Sequence, residues 1–345
     1  MVLVSMCMNT YSREVLQPQT RTDLFRLLGD ADRLRLYALC AEEELTISEL
    51  AALLDESQPQ VSRKLQPLRA AGLLSARKDG TRTYLKASSD VGVDNAILSV
   101  ALEEGRRLCR KDKSLARVPK ILREREENSR AFFDHLAAEP LSTTPTLLAF
   151  LPLLRPLLGE AAQGLCVDIG AGDGLLLPLL APLFARVFAV DRSPARLAAC
   201  ARVVADAGLD HVRLLEGDAS DSQVQEALYR QGGAAVVVVA RTLHHAARPA
   251  ELLTACARLL RPELGGTVIV VDYLPHDDES MRAQGDVWLG FAPEKLAAYF
   301  KEAGLHPSWS LAFTAPAGLP DSHLSWQCMA ATVAVIPKIG LSEIH

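Results

Sequence analysis

Leu165-Cys166-Val167-Asp168-Ile169-Gly170-Ala171-Gly172-Asp173-Gly174 decides the fold of the C-terminal half. Five residues of strand character end in an acid-bearing, glycine-rich turn, and the helix-like stretch Leu175 to Phe184 follows. Glycines at such a turn let a ligand approach backbone N–H groups at a helix start. The dinucleotide fingerprint G-x-G-x-x-G needs glycine at position 175, where Leu175 stands, so a pyrophosphate site is disfavoured.

Outward from that turn, strand-like runs recur at regular intervals. Val187–Asp191 is a second strand ending in an acid, placed to accept hydrogen bonds from ribose hydroxyls. Val212–Ala219 makes a third, Ala234–Ala240 a fourth and Gly266–Asp272 a fifth. Strands alternating with helices of ten or more residues predict an α/β domain, a doubly wound parallel sheet with its ligand at the carboxyl ends of the strands.

The ordered set Val167–Gly174, Asp191, Gly217-Asp218-Ala219 and Arg241-Thr242-Leu243-His244-His245 resembles the class I S-adenosylmethionine-dependent methyltransferases over about Gly164 to Pro337. The resemblance implies that Asp168, Gly170, Gly172 and Gly174 hold the methionine moiety, Asp191 the ribose, and Asp218 with Ala219 the adenine edge, while Arg241 lies near the sulfur. His244 and His245 are the candidates for a general base; capping or cleft-wall hydrogen bonding is the plainer role. Asp277–Arg282 and Asp286–Phe291 follow the fifth strand, where acceptor-side elements sit. There is no Asn-Pro-Pro-aromatic run, so adenine or amide methylation is not indicated.

The N-terminal third is built differently. Leu24, Leu27, Leu28, then Leu34, Leu36 and Leu39 recur at helical spacing, with Asp30 or Asp32 available as a cap between them. Thr46 with Glu49 has the capping-box form for a helix through Leu54. Ser57 caps the next helix, Pro59 sits in its first turn and Gly72 ends it. Leu73 to Leu85 alternates around Asp79-Gly80, a hairpin-turn signal. From Gln58 to Lys86 seven basic residues stand against one acid, and from Arg21 to Ser57 four basic against nine acidic. A basic edge on a small helical domain suits a polyanion; a solvated charged face is the alternative.

Leu24 to Lys86 resembles the winged helix-turn-helix of the ArsR repressor family, most specifically in Ser57–Leu65 with Leu68–Leu73 behind it. The resemblance implies a homodimer reading a palindromic operator in double-stranded DNA. Gln58, Gln60, Ser62, Arg63 and Lys64 would face the major groove, and Arg77, Lys78 and Arg82 the phosphates. The paired cysteines of the metal-sensing members fall here on Thr46 and Ser48, poor ligands for thiophilic metals. The seven cysteines are scattered without a C-x-x-C pair, so no metal is expected from local motifs, although distant ligands can still converge on one.

Between the two lies a connector. Val91 to Leu108 suits a helix that pairs with its twofold mate or packs in the core, and Ser114 to Ala138 a long charged helix. Pro140, Pro145, Pro152 and Pro156 then break the chain into pieces expected to form a lid. The organisation expected is a winged helix-turn-helix domain at 1–90, a helical dimerisation, connector and lid segment at 91–160, and a methyltransferase-like Rossmann domain at 161–345.

The 345 residues, 49% hydrophobic and 23% charged with net charge −5, exclude disordered, collagen-like and disulfide-scaffold chains. No stretch approaches the roughly 20 apolar residues of a membrane span, so no membrane partner is expected and the cytoplasm is the default location. The fused arrangement is similar to ArsR-type regulators with a methyltransferase-like half, among them S-adenosylhomocysteine-responsive repressors. Two functions follow: a repressor whose second domain binds S-adenosylhomocysteine or S-adenosylmethionine as effector, or an active small-molecule methyltransferase tethered to a DNA reader. The missing base favours the first.

Overall fold

The structure, a computed structural model, describes residues 21–88, 96–136, 164–261, 265–314 and 323–333, with only the backbone described at 128–136. The proline-broken segment expected to form a lid and the start of the connector lie outside these residues. The chain divides into two compact units, Met1–Lys78 with Arg82–Ile121, and Asp79–Thr81 with Leu122–His345. Among the described residues no helix is long and apolar enough to cross a membrane.

The first unit runs α1 (Arg21–Leu28), α2 (Ala31–Glu42), β1 (Leu45–Thr46), α3 (Ile47–Leu54), α4 (Gln58–Ala70), β2 (Leu74–Asp79), β3 (Arg82–Ala87) and α5 (Ala96–Lys111). Asp30 caps α2, its Oδ1 accepting from the N–H of Asp32 and Arg33 at 3.0 Å each. The expected box opens α3: Thr46 Oγ1 accepts from the Glu49 N–H at 3.2 Å and Glu49 Oε2 accepts from the Thr46 N–H at 2.7 Å. Val61, Leu65 and Leu68 form the buried stripe of α4, the i, i+4, i+7 rhythm that packs one helical face. Strand order is β1-β3-β2, with Leu45 opposite Leu85. The two-residue loop between β2 and β3 is Gly80-Thr81, one position later than the Asp79-Gly80 signal, and Gly80 takes φ +60°. A left-handed first loop residue is what a II′-type hairpin requires. Gly105 of α5 sits where a Cβ would come within 2.3 Å of the Leu34 carbonyl of α2, so the two helices pack backbone to backbone.

The second unit is an α/β sheet. It comprises β4 (Leu165–Ile169), α7 (Leu177–Leu180), β5 (Arg186–Asp191), α8 (Pro194–Asp206), β6 (Val212–Glu216), α9 (Ser222–Tyr229), β7 (Val236–Ala240), α10 (Pro249–Leu259), β8 (Thr267–Tyr273), α11 (Pro293–Glu302), β9 (Leu305–Thr314) and β10 (Ser325–Val333). The helix α6 (Ser114–Leu136) precedes it. The order β6-β5-β4-β7-β8-β10-β9 makes the five expected strands parallel and adds an antiparallel pair at one edge. Every residue of β4 and β7 is buried, as in sheets covered by helices on both faces.

Two local expectations change. The helix expected from Leu175 to Phe184 is a four-residue α7 followed by a 3-10 turn over Ala181–Leu183. Pro178 and Pro182 lack the N–H groups a longer helix would use. The edge strands β9 and β10 carried no sequence signal of their own. Their register shifts between Ala330 and Ala331, opposite Pro307 and Trp309, where a bulge on the edge strand accommodates a proline with no donor.

Candidate functional site

In the second unit the strand order reverses between β4 and β7. Ligands of open α/β sheets bind in the crevice outside such a switch point. The cleft there is lined by Asp168, Gly170, Gly172, Asp191, Asp218 and Arg241 among others, which brings together six of the eight positions expected to hold a ligand. Gly174 and Ala219 are not on its wall. A Cβ at Gly174 would meet Cys200 Sγ at 2.7 Å, so this glycine serves packing against α8, and Ala219 is fully buried.

Asp168 ends up 1% exposed on β4, and its Oδ2 accepts no hydrogen bond among the described residues. Burial, and then repulsion from Asp191, push its carboxyl up to about 7. The glycine turn is shaped by its neighbours. Gly170 has φ +72°, and a Cβ there would come 2.3 Å from Thr242 Oγ1 in the loop after β7. Asp191 ties this turn to α8: its Oδ2 accepts from the Gly172 N–H at 2.8 Å and its Oδ1 from the Ser193 N–H at 2.9 Å. Burial still raises its carboxyl above the usual range against these two bonds. Asp218 accepts from Arg192 Nε at 2.8 Å and from the Ser220 N–H at 2.8 Å. Arg196, nearly buried, pairs with Asp173 at 3.3 Å.

Arg241 adopts φ +53° directly after β7, a left-handed conformation that costs a non-glycine residue on the order of 1 kcal/mol. The turn directs its guanidinium onto the Tyr273 hydroxyl, with Nη2 and Nε donating at 2.9 and 3.2 Å. Its carbon lies 5.8 Å from the Trp326 ring centroid.

The two histidines differ. His244 is 1% exposed and stands behind the wall. Its Nδ1 donates to Asp272 Oδ1 at 2.8 Å, and its Nε2 is 3.6 Å from Asp286 Oδ1. Burial would depress its pKa, but Asp272 and Asp286 together outweigh that and raise it. His245 lines the cleft, and its Nδ1 donates to the Gly285 carbonyl at 3.1 Å. Burial, then the charge of His244, hold it well below its usual range, so it is neutral. Asp286, also on the wall, is pushed up to about 6 chiefly by burial.

In the first unit Gln58, Gln60, Ser62 and Arg63 are exposed on α4, and Lys78 and Arg82 are exposed on the hairpin. Gln60 Oε1 accepts from the Ser57 N–H at 3.0 Å, so this residue also closes the helix start. Lys64 and Arg77 are held more firmly: the Lys64 ammonium lies 2.6 Å from both Asp32 and Glu56, and Arg77 Nε 3.1 Å from Glu44. Reading by sequence gave no role of their own to Arg192, Arg196, Thr242 and Asp272, because each acquires its place from a partner far along the chain.

A model of the methyltransferase domain matches residues 167–270, and a model of the helix-turn-helix domain matches residues 28–75. The chain joins an ArsR-type helix-turn-helix domain to a methyltransferase domain. The helix-turn-helix part is 39% identical over 82 residues to the arsenic resistance transcriptional regulator ArsR1 of Pseudomonas putida, covering 24% of this chain and 62% of that one. It is 41% identical over 69 residues to the arsenical resistance operon repressor of Escherichia coli, covering 20% and 59%. The chain thus spans about 62% and 59% of the length of these curated relatives. Among solved structures, an O-methyltransferase family protein from Burkholderia thailandensis aligns over 91% of this chain and 96% of its own at 18% identity and a TM-score of 0.41.

Proposed function

We propose that this chain is a DNA-binding transcriptional repressor whose methyltransferase domain holds S-adenosylhomocysteine or S-adenosylmethionine as an effector. Residues 1–90 would read DNA as a homodimer on a palindrome, 91–160 would link, and 161–345 would hold the ligand.

The residues fit such a ligand. Asp168 offers a buried carboxylate oxygen that accepts no hydrogen bond among the described residues, the partner an amino-acid ammonium needs. Gly170 and Gly172 carry no side chain of their own in the turn beside it, which lets Thr242 and Arg196 pack against it, and Asp191 ends β5 while Asp218 follows β6 by two residues. On the DNA side, Gln58, Gln60, Ser62 and Arg63 present amide, hydroxyl and guanidinium groups from one exposed helix start, the chemistry that reads base edges. Two such helices must meet major grooves about 34 Å apart.

The observation that carries the effector reading is Arg241. Its guanidinium is fixed on the cleft wall by Tyr273. A sulfonium is a cation, and a fixed like charge beside it disfavours it relative to the neutral thioether. Calorimetric titration of the full chain with each ligand, with and without its own promoter DNA, tests the reading. Tighter binding of the thioether, linked to a change in DNA affinity, is expected. Equal binding of both ligands with unmoved DNA affinity would refute it in favour of a tethered methyltransferase.

A further inference from the structure

Beside the glycine turn, a second convergence of ligand-type atoms forms where the loop after β7 meets the loop after β8. His244, His245 and Asp286 each bring a donor atom within 4.8 Å of the others. Asp286 Oδ1 lies 3.6 Å from His244 Nε2 and 3.7 Å from His245 Nδ1. Donors bound to one tetrahedral ion at ~2.05 Å sit about 3.3 Å apart, so the two carboxylate–imidazole distances need to shorten by only tenths of an ångström, while the two imidazole nitrogens, within 4.8 Å of each other, approach by up to about 1.5 Å.

Two independent features point to a cation rather than to packing. Asp286 is 5% exposed, yet its Oδ2 accepts no hydrogen bond among the described residues, and an unmatched buried carboxylate oxygen is costly. Behind His244, Asp272 accepts the Nδ1 proton at 2.8 Å and is itself held by the N–H groups of His244 at 3.2 Å and Tyr273 at 2.7 Å. That is the carboxylate–imidazole relay that fixes the tautomer of a metal-bound histidine and aims its Nε2 lone pair.

We propose that His244, His245 and Asp286 bind one divalent cation of the zinc class in the wall of the cleft, with Asp272 as the positioning residue for His244. Two imidazoles and one carboxylate suit Zn²⁺, Co²⁺ or Ni²⁺ and are a poor set for Mg²⁺ or Ca²⁺, which take oxygen. Three protein ligands leave a fourth position open, and His245 and Asp286 line the cleft. The proton that His245 Nδ1 now gives to Gly285 must move to Nε2 when the ion binds. The site is independent of the effector reading, since it uses none of the residues assigned to the nucleoside.

The test uses the full chain, stripped with a chelator and titrated with Zn²⁺ by calorimetry and with Co²⁺ by visible absorption. One equivalent per chain is expected, with cobalt d–d bands. His245→Ala and Asp286→Asn should each weaken binding about tenfold or more, and Asp272→Asn, reaching the metal only through His244, by roughly 10- to 100-fold or less. Circular dichroism and melting keep folding in view, and His245→Ala, on the cleft wall, decides if Asp286→Asn does not fold. Absence of saturable binding to the folded protein, or an affinity unchanged in His245→Ala, would overturn the site.

Discussion

Replacing Asp168 with asparagine separates two consequences of one buried charge. Burial raises the carboxyl from its ordinary 3.8 to about 7, a displacement of about three pH units at ~1.4 kcal/mol each, or roughly 4 kcal/mol. The folded state therefore keeps a proton that the unfolded state has lost. Stability from this group is whole below pH 3.8, falls as pH rises, and is lost once pH passes about 7. Asp168→Asn keeps the shape and cannot ionise. The ligand-free variant should lose less stability than the parent between pH 5 and 7, where the parent sheds ~1.4 kcal/mol per unit from this group alone. Ligand binding should move the opposite way. An ammonium favours the ionised carboxylate, so affinity of the parent rises up to about tenfold per unit towards pH 7 and then levels, whereas the variant binds more weakly and without that slope. Denaturant midpoints and calorimetry across pH 5 to 8 measure both. Parallel stability profiles for parent and variant would refute the account of Asp168 as a buried, orphaned carboxylate held for a cation.

Gly170→Ala forces a Cβ to 2.3 Å from Thr242 Oγ1 at φ +72°; a loss of roughly 2 kcal/mol or more in chemical denaturation is expected, with abolished ligand binding, and partial recovery when Thr242 is also made glycine. Arg241→Met removes the fixed cation, so the preference for thioether over sulfonium should narrow by about tenfold in competition calorimetry, with the fold retained. Thr46→Ala deletes the α3 cap and should lower stability by about 1 kcal/mol in urea titrations. Lys78→Ala should weaken DNA binding and reduce the slope of log affinity against log salt by about 1, whereas Arg63→Ala should cost about 1–3 kcal/mol on its own promoter and narrow the gap to unrelated DNA, both read by fluorescence anisotropy at several salt concentrations.

Much of this architecture was legible along the chain because its signals are local. The Thr46/Glu49 box, the Asp30 cap and the buried stripe of Val61, Leu65 and Leu68 depend on residues within a turn or two of one another, where propensity and periodicity act. The five parallel strands were visible as apolar runs, four of them with an acid at or near the carboxyl end, and β4 and β7, buried throughout, show no polar alternation because both their faces are covered. Asp168, Asp191, Asp218 and Arg241, expected from the resemblance, line one cleft, as the chain order of a switch-point fold delivers strand ends to one crevice.

What tertiary structure alone decided is which side chains are left facing one another there. Gly170 is obligatory because Thr242, 72 positions later, occupies the space of its Cβ. Gly174 looks identical in sequence but serves packing against Cys200. His244 and His245 are adjacent in the chain and chemically opposite in the fold, one raised by Asp272 and Asp286 and the other depressed by burial. Those carboxylates come from the end of β8 and the loop beyond it, and no local pattern ties them to a turn some thirty to forty residues earlier. Ionisation in a cleft follows from burial and from long-range neighbours, and both exist only once the sheet has assembled.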